Sequence, residues 1–292
     1  MSMDSAKILR GIEVAKAMKE GLIAWNDALK TKGIEPCLAI VRVGERPDDL
    51  AYEDSVKRWF GGIEIKVVVF AFPQDIEQQV FEQRFKEINE DESVHGILLF
   101  RPLPKTLDEE PIKEIIDPNK DVDCMSAENI AKVFMGDDTG FTPCTPAGVV
   151  ELLKHFQVSL KGKEIVLIGR SMVVGKPLAM LLLEEHATVT ICHSRTEDLP
   201  EICRRADIII AAVGAERIVK GHFIKPGAVV IDVGMNQDKN GNMCGDVDFD
   251  EVSRIASKIT PVPGGTGTVT TSILAKHVLE AAERFSKQPA SL

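Results

Sequence analysis

Apolar positions along this chain come in two rhythms. Short unbroken runs bounded by Gly or Pro occur at 37–43 (CLAIVRV, ending at Gly44), 65–70 (IKVVVF) and 94–100 (VHGILLF, ended by Arg101-Pro102-Leu103-Pro104). Runs of this length and composition predict buried strands. Between and before them, 7–21, 51–59 and 77–89 carry apolar residues at helical spacing, which predicts amphipathic helices. The first half therefore reads as strand–helix–strand–helix–strand with a mostly parallel sheet. A turn-rich stretch, 135–140, leads into Pro143-Cys144-Thr145-Pro146, where Thr145 could cap a helix running to 155 with Pro146 at its first position. The alternation then restarts, with strands over 164–168, 188–192, 208–213, 228–233 and 258–260 and helices over 177–186 and 272–285. This is an α/β pattern. It predicts two domains, residues 1–143 joined by the returning terminal helix 273–292, and residues 144–272.

Composition narrows the class. With 292 residues, 44% hydrophobic and 27% charged, the chain is long enough for a large core and unlike disordered or fibrous sequences. The formal net charge of −10 argues against a nucleic-acid partner, while leaving room for small anions held by local Arg or Lys. No apolar run approaches the roughly eighteen residues of a membrane span, and Met1-Ser2-Met3-Asp4 lacks a charged-then-apolar signal pattern. The six cysteines are scattered, without CxxC or zinc spacing, and are expected to be reduced thiols of a cytoplasmic protein with no metal site.

Several segments are candidates for chemistry. Ile168-Gly169-Arg170-Ser171-Met172-Val173-Val174-Gly175 joins a predicted strand to a predicted helix, the place where a doubly wound fold offers amide groups to a phosphate. Its G-x5-G spacing departs from G-x-G-x-x-G, so an ordinary strand-to-helix turn stays open. The next strand ends in Cys192-His193-Ser194-Arg195 rather than in the carboxylate common among NAD sites. A hydroxyl and two guanidiniums, Arg195 and Arg170, suit a 2′-phosphate, which favours NADP over NAD. Thr260 to Thr270, with Pro263, Gly264 and Gly265, is a shaped loop that serves equally as a rigid turn or as a ligand-facing wall. Tyr52, the single tyrosine, lies on a predicted helix with Lys57 five positions on, so the two share a face poorly. In Lys120-Asp121-Val122-Asp123 a carboxylate could accept a ring N–H and an amino group together, or could simply cap a turn.

Taken together these pieces resemble the methylenetetrahydrofolate dehydrogenase/cyclohydrolase family across nearly the whole chain. The resemblance is carried by Val41-Arg42-Val43-Gly44, Lys120-Asp121-Val122-Asp123, Pro143-Cys144-Thr145-Pro146, Gly169-Arg170-Ser171, Val174-Gly175-Lys176-Pro177, Cys192-His193-Ser194, Ile231-Asp232-Val233-Gly234, Gly245-Asp246-Val247 and Thr260-Pro261-Val262-Pro263-Gly264-Gly265. It implies two three-layer α/β domains with a cleft between them, the second Rossmann-like and NADP-binding, in a cytoplasmic homodimer serving one-carbon metabolism and purine biosynthesis. It implies hydride transfer from 5,10-methylenetetrahydrofolate to the nicotinamide, a step whose chemistry belongs to the cofactor, with tetrahydrofolate as the carbon carrier. By the same resemblance Tyr52, Lys57 and Asp123 are the catalytic candidates: Asp123 binds the pterin, Tyr52 stacks near the aminobenzoate, and Lys57 and Arg101 lie near the reacting carbon or the anionic tail. Phe100, Arg101, Pro102, Leu103, Pro263, Gly264 and Gly265 line the substrate. Thr145, Gly169, Arg170, Ser171, Val174, Gly175, His193, Ser194, Arg195, Val213, Gly214, Val233 and Gly234 line the cofactor.

The chain departs from the family where the second activity resides. Cyclohydrolases of the family use Tyr-x-x-x-Lys with a nearby Gln. Here Val56 stands four after Tyr52, lysine comes only at Lys57, and the usual Gln-Leu-Pro-Leu reads Phe100-Arg101-Pro102-Leu103. The late loop also differs, with Thr266 and Thr268 where Val and Pro are usual. Hydride transfer needs no proton relay, whereas water attack on the methenyl carbon does. The expectation is a dehydrogenase with weak or absent cyclohydrolase activity. The alternatives are a bifunctional enzyme in which Lys57 takes the lysine's place, and a folate-binding homologue without turnover. The folate-type motifs between Arg42 and Asp123 speak against an unrelated small-acid dehydrogenase.

Overall fold

A computed structural model describes residues 6–287; the opening Met1-Ser2-Met3-Asp4 lies outside them. In chain order the elements are β1 (Lys7–Ile8), α1 (Gly11–Lys30), β2 (Cys37–Val43), α2 (Pro47–Gly61), β3 (Lys66–Phe72), α3 (Gln78–Glu90), β4 (Gly96–Leu99), α4 (Glu110–Ile115), α5 (Ala127–Met135) and α6 (Cys144–His155). There follow β5 (Glu164–Ile168), α7 (Gly175–Glu184), β6 (Thr188–Cys192), α8 (Leu199–Cys203), β7 (Ile208–Ala211), β8 (Val229–Asp232), β9 (Asn236–Gln237), β10 (Met243–Cys244), α9 (Phe249–Val252), β11 (Lys258–Ile259) and α10 (Thr266–Lys287).

The chain divides into two compact units. One holds the described residues up to Lys16 together with Thr145–Thr270, and the other Ala17–Cys144 with Thr271 to Lys287, positions 288–292 of the expected terminal helix lying outside the described residues. Residues 6–16 thus belong with the later unit, not with the segment up to 143 as the sequence suggested. The cause is β1: Lys7 and Ile8 pair in parallel with Lys258 and Ile259 of β11. Residues Lys7 to Arg10 were expected to open a helix, but two residues are spent on this ladder and the helix begins at Gly11.

The unit around Ala17–Cys144 has a three-stranded parallel sheet in the order β3-β2-β4. Its centre, β2, is buried along nearly all its length because both faces are covered. Phe81, Phe85 and Ile88, one stripe of α3, pack with Val41, Ile97, Leu99, Ile112 and Met125. The apolar run of β4 stops at Leu99, so Phe100 to Leu103 begin the loop at its C-terminal end.

The other unit has a six-stranded parallel sheet in the order β1-β11-β8-β7-β5-β6. Its core includes Val166, Ile168, Ile209, Ala211, Val230 and Ile259 from alternating strand positions. From β5 the chain steps to β6 on one side and then returns to β7 on the other, so the order reverses at β5. In open α/β sheets ligands bind outside the strand C-termini at such a reversal.

Two boundaries differ from expectation. The helix at Pro146 starts at Cys144, so Thr145 lies inside it and does not cap it. The last helix starts at Thr266, so half of the Pro/Gly segment expected to be loop is its first turn. The short helices α4 and α5 and the β9–β10 hairpin had no counterpart in the sequence reading. Among the described residues no helix is long and apolar enough to cross a membrane, and no group of three or more His, Cys, Asp or Glu could hold a metal ion.

Candidate active site

In the unit around Ala17–Cys144, the loop after β4 and the helix α2 bring Tyr52 and Phe100 together. Their ring centroids are 5.4 Å apart, tilted by 35°, within the range of favourable aromatic pairs. Phe100 is buried, and its N–H donates to Val41 O at 2.8 Å, which fixes the ring at the strand end. Burial raises the Tyr52 phenol, and the neighbouring Asp123 carboxylate and Cys144 thiol raise it further, so Tyr52 is a neutral hydroxyl.

The Lys120-Asp121-Val122-Asp123 segment separates into scaffold and site. Lys120 Nζ donates to the carbonyls of Asn89 and Asp91, both at 2.7 Å. Asp121 accepts from Met125 N at 2.8 Å, Ser126 N at 2.9 Å and Asn129 Nδ2 at 2.9 Å. Both are buried and spent on holding the turn. Asp123 is the one that presents its carboxyl. Oδ1 accepts from Cys144 N at 3.3 Å and Oδ2 lies 3.8 Å from Arg101 Nη2. Burial pushes this carboxyl up; the Arg101 charge and the Cys144 N–H act against that. Behind it, His277 Nδ1 is 2.9 Å from Val122 O, and the Cys144 thiol donates to the same carbonyl at 3.3 Å. Leu103 packs against the sheet core, and Pro102 is exposed.

Lys57 is not part of this group. Its ammonium is drawn to Glu53 Oε1 one turn earlier on α2, and Glu53 Oε2 accepts from Arg42 Nε at 2.8 Å. Burial would raise Glu53, but the hydrogen bonds from Lys57 and Arg42 outweigh it and hold the carboxylate below its ordinary range. The position four after Tyr52 is Val56, which is fully buried.

In the other unit, strand register sets the candidate cofactor loops side by side. Ile168 pairs with both Cys192 and Ala211, and Ala211 pairs with Asp232. Hence Gly169, His193, Ala212 and Val233 all leave the same edge of the sheet. Arg170 and Ser194 each follow two residues after the paired Ile168 and Cys192. Arg170, Ser194 and Arg195 are exposed, and neither arginine has an ion-pair partner among the described residues. Gly169 has φ +136°, and a Cβ there would lie 2.3 Å from Ala212 O; one on Gly175 would lie 2.4 Å from Gly169 O. The turn is therefore too tight for any side chain at either position.

Three amide groups of this turn have partners within it. Ser171 Oγ accepts from Val174 N at 3.1 Å and Gly175 N at 3.4 Å, and Ser171 O accepts from Lys176 N at 3.0 Å. His193 Nδ1 accepts from Arg195 N at 3.2 Å, and Thr196 Oγ1 from His193 N at 2.9 Å, which shapes the loop carrying Ser194 and Arg195. Thr145 Oγ1 accepts from Thr270 Oγ1 at 3.5 Å. Pro263 and Gly264 are exposed, whereas Gly265 is buried in the turn that starts α10.

Two residues outside the expected set organise this edge. Asp246 Oδ2 accepts from Val213 N at 2.6 Å and Gly214 N at 3.1 Å, and Oδ1 from Ala215 N at 2.8 Å and Asn236 Nδ2 at 2.9 Å. Asp232 accepts from the amides of Gly234, Asp246 and Val247 at 2.9 to 3.0 Å. Burial pushes Asp232 up to about 6, against the pull of those amides. A Cβ on Gly245 would lie 1.9 Å from Asp232 Oδ2, and one on Gly234 2.2 Å from Asp246. The signal was in the sequence, as two Asp within two positions of a Gly, but their carboxylates serve main-chain amides and carry no chemical motif.

The comparisons with known proteins agree with both halves. Residues 9–123 match the tetrahydrofolate dehydrogenase/cyclohydrolase catalytic domain, and residues 143–286 match the NAD(P)-binding domain of the same family. The chain belongs to the tetrahydrofolate dehydrogenase/cyclohydrolase family. Among curated relatives of this family, a bifunctional protein FolD of Alkaliphilus oremlandii is 56% identical over 94% of this chain and 97% of its own length. One of Clostridioides difficile is 54% identical over 95% and 96%. Among solved structures, the Campylobacter jejuni FolD methylenetetrahydrofolate dehydrogenase/cyclohydrolase superposes with a TM-score of 0.93 at 40% identity, covering 96% of this chain and 99% of that one. The Trypanosoma brucei enzyme, complexed with NADP and an inhibitor, has a TM-score of 0.93 at 35% identity, covering 98% and 100%.

Proposed function

We propose that this member of the family oxidises 5,10-methylenetetrahydrofolate to 5,10-methenyltetrahydrofolate with NADP, and that its cyclohydrolase step is weak or absent. The observation that carries the second part is local. Phe100 packs on Tyr52 where the family resemblance places a glutamine, while Val56 is buried and Lys57 is held by Glu53.

For the oxidation, Asp123 accepts the pterin ring N–H and amino group through its carboxylate. Tyr52 and Phe100 supply an apolar face for the substrate rings, and Arg101, Pro102 and Leu103 continue the wall. The bound nicotinamide supplies the chemistry by accepting the hydride of the methylene carbon. The chain's part is to bind and align, which suffices for a step with no proton to move.

The cofactor fits the turn at Gly169 and Gly175, which carries no side-chain bulk, and the loops ending in Gly214 and Val233. Arg170, Ser194 and Arg195 are the groups suited to a 2′-phosphate, and the Trypanosoma brucei relative with NADP supports that choice over NAD. Carried over with the family resemblance are a homodimer, a cytoplasmic setting and the supply of one-carbon units to purine biosynthesis.

The test has two assays. Methenyl product should form from methylenetetrahydrofolate with NADP and far less with NAD; no product with either removes the dehydrogenase reading and leaves a folate-binding protein. Authentic methenyltetrahydrofolate in a non-nucleophilic buffer should decay at the uncatalysed rate. A clearly faster decay selects the second reading, the bifunctional enzyme, which the names of the FolD relatives favour.

A further inference from the structure

The guanidinium of Arg101 is bracketed by two carboxylates. Nη1 is 3.3 Å from Glu109 Oε1, and Nη2 is 3.8 Å from Asp123 Oδ2. Glu109 is held in turn by Lys113 at 3.4 Å, and Lys113 reaches Glu110 at 2.7 Å. Charge therefore alternates along one row: Asp123, Arg101, Glu109, Lys113, Glu110. The first four side chains are 30% exposed or less, so solvent screens them weakly.

The groups facing Asp123 come from several elements. Tyr52 faces it from α2, the Cys144 thiol and N–H from α6, and Cys124 from its own segment; His277 lies behind, on Val122 O. His277 is buried and neutral near pH 7. Arg101 is the one group among these that brings a positive charge to the carboxyl.

We propose that Arg101 is a positioning residue for substrate binding: it holds Asp123 as an ionised acceptor for the pterin, and Glu109 keeps Arg101 on that duty instead of on the anionic tail of folate. The proposal rests on the folate reading above. A protonated Asp123 would turn a donor toward a pterin edge that itself presents donors. The sign of the effect follows. Removing the Arg101 charge leaves burial opposed only by the hydrogen bonds of Cys144, so Asp123 takes up its proton at a higher pH. Binding that needs the ionised form is then lost earlier as pH falls, by about tenfold for each unit the midpoint moves, with little change at alkaline pH.

The experiment compares the full-length protein with R101L, which restores the residue usual in the family, and with R101K, which keeps the charge; D123N assigns the signal. Carboxyl 13C NMR follows the Asp123 titration without substrate, and kcat/KM for methylenetetrahydrofolate is measured against pH at saturating NADP. The expected result is an upward midpoint shift in R101L, little shift in R101K, and an acid limb of kcat/KM that moves with the midpoint while the KM for NADP stays constant. An unmoved midpoint in R101L overturns the proposal. So do equal shifts in R101L and R101K, or a moved midpoint with an unmoved acid limb. If the unmodified protein turns over no folate, the dehydrogenase reading fails separately, and the NMR arm still decides whether Arg101 governs Asp123.

Discussion

The ring of Phe100 lies 5.4 Å from that of Tyr52, tilted by 35°. A phenyl ring has no N–H donor and no carbonyl acceptor, so it cannot hydrogen-bond a lysine or a water as a glutamine amide does. F100Q should therefore leave the dehydrogenase within a few-fold of its starting rate and still give no catalysed hydrolysis, because no lysine is placed to use the glutamine. The measurement is the decay of methenyltetrahydrofolate with F100Q. A rate well above the uncatalysed control would mean that Lys57 leaves Glu53 and serves as the base.

The buried Val56 predicts why the lysine cannot simply be put back. V56K places an ammonium in a fully buried apolar site and should cost several kcal/mol, whereas V56A should cost about 1.5–3 kcal/mol. Chemical denaturation of both variants checks this; V56K as stable as V56A would show that the side chain escapes to solvent.

For the cofactor, R170A and R195A should each raise the KM for NADP by about ten- to a hundredfold, the range of a lost charge-assisted hydrogen bond. The KM for NAD should hardly change, since NAD has no 2′-phosphate to lose. Equal effects on both cofactors would place these arginines away from that phosphate.

Two buried groups predict opposite pH dependences of stability. Asp232 is pushed up to about 6 by burial, so its contribution is fully present below about pH 4 and is lost as pH rises through 6. The swing is about 3 kcal/mol. His277 is pushed down to about 4 by burial, so its contribution is present above about pH 6.5 and is lost as pH falls through 4, again by about 3 kcal/mol. Denaturant titrations from pH 4 to 7 should show that D232N removes the first slope and H277Q the second. Variants that keep the slopes of the unmodified protein would contradict these assignments.

How far the sequence could be read depended on whether a residue's role is local. The runs at 37–43 and 164–168 could be read directly, because a parallel strand covered on both faces needs a nearly continuous apolar run. The Gly169 to Gly175 turn could be placed as well, since only glycine tolerates that backbone approach. The strand at Lys7–Ile8 could not, because two residues carry no period and their partner is some 250 residues on. Lys57 looked like a stand-in for the family's lysine by its nearness in sequence, but the 3.6-residue turn sends it to Glu53. Asp246 and Asp232 escaped the candidate set because their carboxylates address main-chain amides far along the chain.

The two residues of β1 lie at the rim of the six-stranded sheet, where they occupy the hydrogen-bonding groups of β11. An open strand edge is a template for another chain. Here a very short strand with the exposed Lys7 closes it. A protease cut or a bulky fusion just before Leu9 would leave the candidate site residues in place but uncover that edge. The damage would appear first as clumping in solution, before any loss of turnover per intact molecule.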